Sequence, residues 1–232
     1  MKDLRRSGFP VGAEGSQIFV LYFLLLAGGL WHRLGWFQTV MRLLAGAALI
    51  FLAVVLVWKI CNAGRSASQR RRILIFSAVV LCCSHLIEWY GVRSGLVFGV
   101  YRYGNVLQPQ LAGVPVAIGF AWVILVWASA ALAQRILPQR WAACAPVMVL
   151  TIALLMTGFD RIMEPAAVKL GYWSWQEGSI PLQNYLAWFA ISALFATAGW
   201  RLKLLNEQFP ALAVHMYLAQ GIYFFLAWGA NG

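Results

Sequence analysis

Seven apolar runs, at about 17–34, 40–60, 73–90, 115–137, 143–160, 183–204 and 210–229, divide this chain of 232 residues. Each approaches the roughly 20 residues that a helix needs to cross the hydrocarbon of a bilayer. Little else is open to such a sequence. With 62% of its residues hydrophobic, 11% charged and a mean hydropathy of +0.74, it lacks the polar residues to cover a solvated surface. The pattern predicts one all-α domain over 1–232, an integral, multi-pass transmembrane bundle of about seven spanning helices.

The net charge of +11 would fit nucleic acid if it were clustered. Instead Lys and Arg stand singly between the apolar runs, apart from Arg70-Arg71-Arg72, and this pattern serves topology rather than nucleic-acid binding. Twelve of them fall on one side, Lys2, Arg5 and Arg6 included, and six on the other. The richer side is the cytoplasmic one, which predicts a cytoplasmic N-terminus, an outside C-terminus, and connections after the third and fifth helices on the non-cytoplasmic face. The first run begins near Ile18 without a small-residue cleavage site, so it is expected to stay as a helix. Cys61, Cys82, Cys83 and Cys144 form no Cys-x-x-Cys pair and are expected to pack.

Roughly 85–115 and 157–188 hold the unusual polar residues. Of only seven acids, Glu88, Asp160, Glu164 and Glu177 fall at or just beyond the ends of the third and fifth helices, and ionisable groups so near the hydrocarbon mark a site by default. His85 and Glu88 share a helix face at i, i+3, and Asp160 and Glu164 do so at i, i+4 if the helix reaches Pro165. Arg93, Arg102 and Arg161 are candidates to balance these charges. Around the acids stand Trp89, Tyr90, Phe98, Tyr101 and Tyr103, then Tyr172, Trp173, Trp175, Tyr185 and Trp188, more rings than an interfacial belt alone calls for. Carboxyl groups beside aromatic faces in a water-poor cavity suit the protonation of an alkene, because π-faces attract the resulting cation without attacking it.

Other chemistries lack their parts. His32, His85 and His215 are too few and too far apart for a di-iron site, and the single His85-x-x-Glu88 has no second copy, so no metal is expected. No P-loop, dinucleotide fingerprint or nucleophile elbow is present. The two polar connections also resemble each other. Gly113–Trp122 lies on Ser179–Trp188 with Pro115 and Pro181, Ala121 and Ala187, and Trp122 and Trp188 matched, which raises a tandem helix-connection-helix repeat over 73–137 and 143–204 against chance recurrence of Pro at helix starts.

These strings resemble the carotenoid 1,2-hydratase family. The likeness runs through Glu88-Trp-Tyr-Gly91, Gly95–Tyr103, Pro109–Pro115 and Ala121-Trp122, then Asp160, Glu164-Pro165, Gly171–Trp175, Ile180–Leu182 and Asn184–Trp188. It departs where Gly95-Leu-Val-Phe-Gly99 stands for the family's Gly-Phe-Pro-Phe-Gly, and where Glu164-Pro165 stands for a frequent Asp-Pro. The resemblance implies an enzyme of a prokaryotic cytoplasmic membrane that takes an acyclic carotenoid from the bilayer. Such an enzyme adds water to the terminal C1=C2 bond to give a tertiary alcohol without a redox cofactor, in possible association with other carotenoid enzymes.

On that basis Asp160 or Glu88 is the expected proton donor. A second carboxylate from the set with Glu164, oriented by Asn184, would activate water. His85, Trp89, Tyr90, Tyr101, Tyr103, Tyr172, Trp173, Trp175 and Tyr185 would line the substrate. Two alternatives share the equipment: a carotene cyclase, in which an alkene of the chain captures the cation, and a non-catalytic carotenoid-binding protein whose acids pair with the arginines.

Overall fold

A computed structural model describes residues 12–205 and 207–229. The predicted helices are all present, as α1 (Ala13–Leu34), α2 (Gln38–Asn62), α3 (Ala67–Ser94), α4 (Val116–Ile136), α6 (Ala145–Lys169), α7 (Leu182–Arg201) and α8 (Ala211–Trp228), with a single turn α5 (Gln139–Ala142) before α6. Lys2, Arg5 and Arg6 lie outside the described residues. Among those described, six helices are long and apolar enough to cross a membrane. The exception, α7, opens on Gln183 and Asn184, which dilute its hydropathy.

Helix α4 is the axis. It packs against α2, α3, α6 and α8, and its stretch from Trp122 to Ala131 is buried throughout. Side chains on the outer helices point instead to lipid, as Leu43, Phe51 and Leu194 do, which is the normal surface of a bundle whose solvent is hydrocarbon. Where α3 crosses α4 the backbones nearly touch, since a Cβ at Gly119 would sit 3.0 Å from the Leu81 carbonyl oxygen. Small residues permit such approach between membrane helices, where packing rather than hydrophobic exclusion drives association.

The ends of the helices are set by local chemistry. Ser66 opens α3 with a capping box shared with Gln69, which satisfies two otherwise orphaned donors. Pro115 and Pro181 are the N-cap residues of α4 and α7, both extended at ψ 130° and 149°. Helix α6 continues through Pro165 to Lys169, well past its expected end near 160, so Asp160 and Glu164 do share one helical face. At the other end of the bundle, Arg65 pairs with Glu207, and Gln69 donates to the same carboxylate at 2.7 Å, tying α3 to the α7–α8 connection.

The two polar connections are more ordered than expected. Strand β1 (Tyr101–Tyr103) pairs antiparallel with β4 (Trp173–Trp175), placing Tyr101 opposite Trp175 and Tyr103 opposite Trp173. Between them in sequence, β2 (Gln110–Leu111) and β3 (Val114–Pro115) form a minimal hairpin. Its two central residues, Ala112 and Gly113, have φ of 54° and 85°, the positive pair that a tight hairpin turn demands. The α3–α4 and α6–α7 connections are thereby joined as one ribbon across that end of the bundle.

Candidate active site

Strand periodicity decides which side chains of the ribbon reach the protein. Successive residues point to opposite faces, so Tyr101, Trp173 and Trp175 are buried and Tyr103 nearly so, while Arg102 and Ser174 between them are exposed. The four inward rings stand over the ends of α3 and α6. Tyr101 meets Trp175 at 5.1 Å between centroids, and Tyr103 meets Trp173 edge-on at 6.0 Å.

The two inward rings of each strand serve one acid. Glu88 on α3 is buried and accepts the Tyr101 hydroxyl at 2.5 Å and the Tyr103 hydroxyl at 2.8 Å on Oε2, and the Trp122 indole N–H at 3.0 Å on Oε1. Three donors around one carboxyl group match an ionised carboxylate, which only accepts. Glu164 on α6 accepts the indole N–H groups of Trp173 and Trp175, each at 2.9 Å, both on Oε2. Its Oε1 takes part in neither bond. Burial first, and the Glu88 charge next, push the Tyr101 and Tyr103 hydroxyls above the ordinary phenol range, so both remain donors at any physiological pH.

A cavity of about 40 Å³ lies between the two acids. On this measure a water molecule needs at least about 10–15 Å³, so the space suits water and is smaller than a branched five-carbon unit. Its walls come from one stripe of α4, at Ile118, Ala121, Trp122 and Leu125, with Met163 of α6, Asn184 and Trp188 of α7, and the ribbon rings. Trp122 lies flat on Trp188 at 3.9 Å and 12°, which fixes the plane from which its N–H reaches Glu88.

Of the residues singled out from sequence, Glu88, Glu164, Asn184, Tyr101, Tyr103, Trp173 and Trp175 share this cavity. Asp160 is fully buried but lies behind it. Asn184 stands between, lining the cavity while its Nδ2 donates to Asp160 Oδ2 at 2.7 Å, and Asp160 Oδ1 is buried without a hydrogen-bond partner. The other residues singled out for the substrate stand elsewhere. His85, Trp89, Tyr90, Tyr172 and Tyr185 lie outside the cavity walls. Tyr90 is exposed, Trp89 carries the Arg93 guanidinium at 4.8 Å, Tyr185 that of Arg161 at 5.9 Å, and Tyr172 meets the Tyr223 hydroxyl at 3.5 Å.

The arginines do not balance the acids. Arg102 faces outward to the Ser174 hydroxyl at 3.4 Å, and among the described residues the one ion pair is Arg65 with Glu207. The buried carboxyl groups are held by neutral O–H and N–H donors instead. Trp122, which contributes one of those donors, stood in the sequence as a member of the repeat and of the family strings, with no role at the acids assigned to it. Ile118, Leu125 and Met163 carried no signal, being apolar residues in apolar helices.

Known proteins give this geometry a context. The chain is 31% identical over 173 residues to the bisanhydrobacterioruberin hydratase of Haloarcula japonica, covering 69% of this chain and 56% of that protein. It thus spans little more than half the length of that relative. No solved structure matches it. The family described as carotenoid biosynthesis protein matches residues 37–230, and with nearly the whole membrane bundle inside that match, the chain belongs to this family.

Proposed function

We propose that the protein hydrates the terminal C1=C2 double bond of an acyclic carotenoid end group, giving a tertiary alcohol. The observation that carries the reading is the pair of acids, Glu88 and Glu164, facing one water-sized cavity walled by aromatic rings. The name of the Haloarcula japonica relative supports it. The polyene would enter from the bilayer. Its branched end exceeds the cavity, so apolar wall residues give way, and Met163 is the most adaptable of them.

Glu164 delivers the proton. Its Oε2 is held by two indole N–H groups and its Oε1 is left for the substrate. The π electrons of C1=C2 form the new C2–H bond, leaving a tertiary cation at C1. Tyr101, Tyr103, Trp173 and Trp175 turn ring surfaces to that cation and hold it without forming a bond to it. Water adds through oxygen to C1, and Glu88, ionised among its three donors, takes the surplus proton. One water is consumed, and the proton gained by Glu88 replaces the one Glu164 gave once the two exchange through water. Asn184 positions Asp160 beside Glu164 and serves as the link to a reserve carboxyl group.

Expression in cells that accumulate lycopene, and in parallel in cells that accumulate bisanhydrobacterioruberin, tests this by product mass. A gain of one water per reacted end is expected. An isomer of unchanged mass would replace hydration with cyclisation, and unaltered carotenoid in both hosts would refute the enzyme reading.

A further inference from the structure

The cavity between the acids shares a wall with a second, larger space. A vestibule of about 380 Å³ opens at the ribbon end of the bundle, and Trp175 borders both. The chain passes from one space to the other twice. Phe98 lines the inner cavity and Gly99 the vestibule, and Trp175 faces both while the following residue lines only the vestibule. The seam is tight, since a Cβ at Gly99 would lie 2.7 Å from Pro181 Cγ and 3.6 Å from Trp175 Cζ3.

The lining of the vestibule is polar, with Glu177, Ser179 and Gln183 around its wall. The two grooves larger than it differ in both respects. One of about 580 Å³ between α2, α3 and α4, and one of about 490 Å³ between α1, α2 and α8, are lined mainly by apolar side chains and share no residue with the inner cavity. They suit lipid. The vestibule is the space that can hold bulk-like water next to the acids.

We propose that this vestibule is the water entrance of the site and that Trp175 is the partition that governs whether water or another nucleophile meets the cation. The inference rests on the hydration reading. Trp175 is anchored from inside, by its N–H on Glu164 Oε2 and by Tyr101 beside its ring. A shift of that indole therefore opens the seam and releases one donor from the acid in a single motion. Water supply is thereby coupled to the proton donor, and with the partition shut the cation can only lose a proton or capture an alkene.

Plugging the vestibule from outside tests this without touching the acids. Ser179→Cys, at an exposed vestibule position, is modified with a bulky methanethiosulfonate in open membrane fragments from carotenoid-accumulating cells. Asn105→Cys, exposed in the other connection and outside the vestibule lining, is the control, and treated unsubstituted protein accounts for the four native cysteines. Modified Ser179→Cys is expected to lose at least fivefold in hydrated product, with isomers of unchanged mass rising, and reduction should restore it. Undiminished hydration after modification would overturn the proposal, as would an equal loss in Asn105→Cys. Absence of hydrated product before any modification would instead refute the hydration reading on which the proposal stands.

Discussion

Glu88 binds two tyrosine hydroxyls through the same oxygen, so its donors can be removed singly. A hydrogen bond to a charged group contributes about 1.5–3 kcal/mol, which in a rate is about 10–100-fold. Tyr101→Phe and Tyr103→Phe are each expected to lower turnover by about that factor, and together by more. Glu88→Gln and Glu164→Gln remove the base and the acid themselves and should each cost at least about 100-fold. Product formed per membrane-inserted protein measures all four, and full activity in either Gln variant would remove that residue from its role. The acids were legible in the sequence because only seven exist in so apolar a chain. Their partners were less so. Arg102 is the nearest cation in sequence to the ring pair, yet strand alternation turns it outward, and Trp122 is one of 12 tryptophans whose role depends on which helix face meets α3.

At the scale of elements, the site depends on how closely α3 lies on α4. Gly119 sets that distance, with the Leu81 carbonyl 3.0 Å from where a Cβ would be. Backbone cannot step aside as a side-chain tip can. Gly119→Val should therefore push Glu88 away from Trp122 and cost about 1–3 kcal/mol of stability, seen as a lower melting temperature in detergent together with lost turnover. Gly158→Ala in α6 is the comparison, since nothing lies within 4 Å of its Cβ position, and it should leave both unchanged. The helices were legible because apolar runs of this length have one reading in a bilayer. The ribbon was not, because strands of three residues pair across some 70 positions of sequence and carry no periodicity long enough to notice. The matched Pro115 and Pro181 caps, and the flat contact of Trp122 on Trp188, support the proposal that the two helix-connection-helix units descend from one.

For the whole molecule, the open quantity is the number of crossings, and α7 decides it. Six helices meet the hydropathy of a span by composition, and α7 does not. Its 20 residues are nonetheless long enough for about 30 Å of hydrocarbon at 1.5 Å each. It packs along α6, and its outer face carries Leu186 and Leu194 to the lipid. Its polar residues Gln183 and Asn184 sit at its start, where Gln183 bonds the Leu96 carbonyl at 2.5 Å and Asn184 bonds Asp160. They lower the mean hydropathy without placing an unpaired polar group in the bilayer. Helix α7 should therefore cross, making seven spans, with the chain ends on opposite faces. On the Lys and Arg count the N-terminus is then expected inside, and the ribbon, the vestibule and the C-terminus outside. A pair of reporters fused after Gly232 measures this, one active only in the cytoplasm and one only beyond it. The non-cytoplasmic reporter is expected to be active. A cytoplasmic signal would mean either six crossings or a reversed bundle, and a third fusion in the α2–α3 connection separates those two, because it stays cytoplasmic in the first case and not in the second.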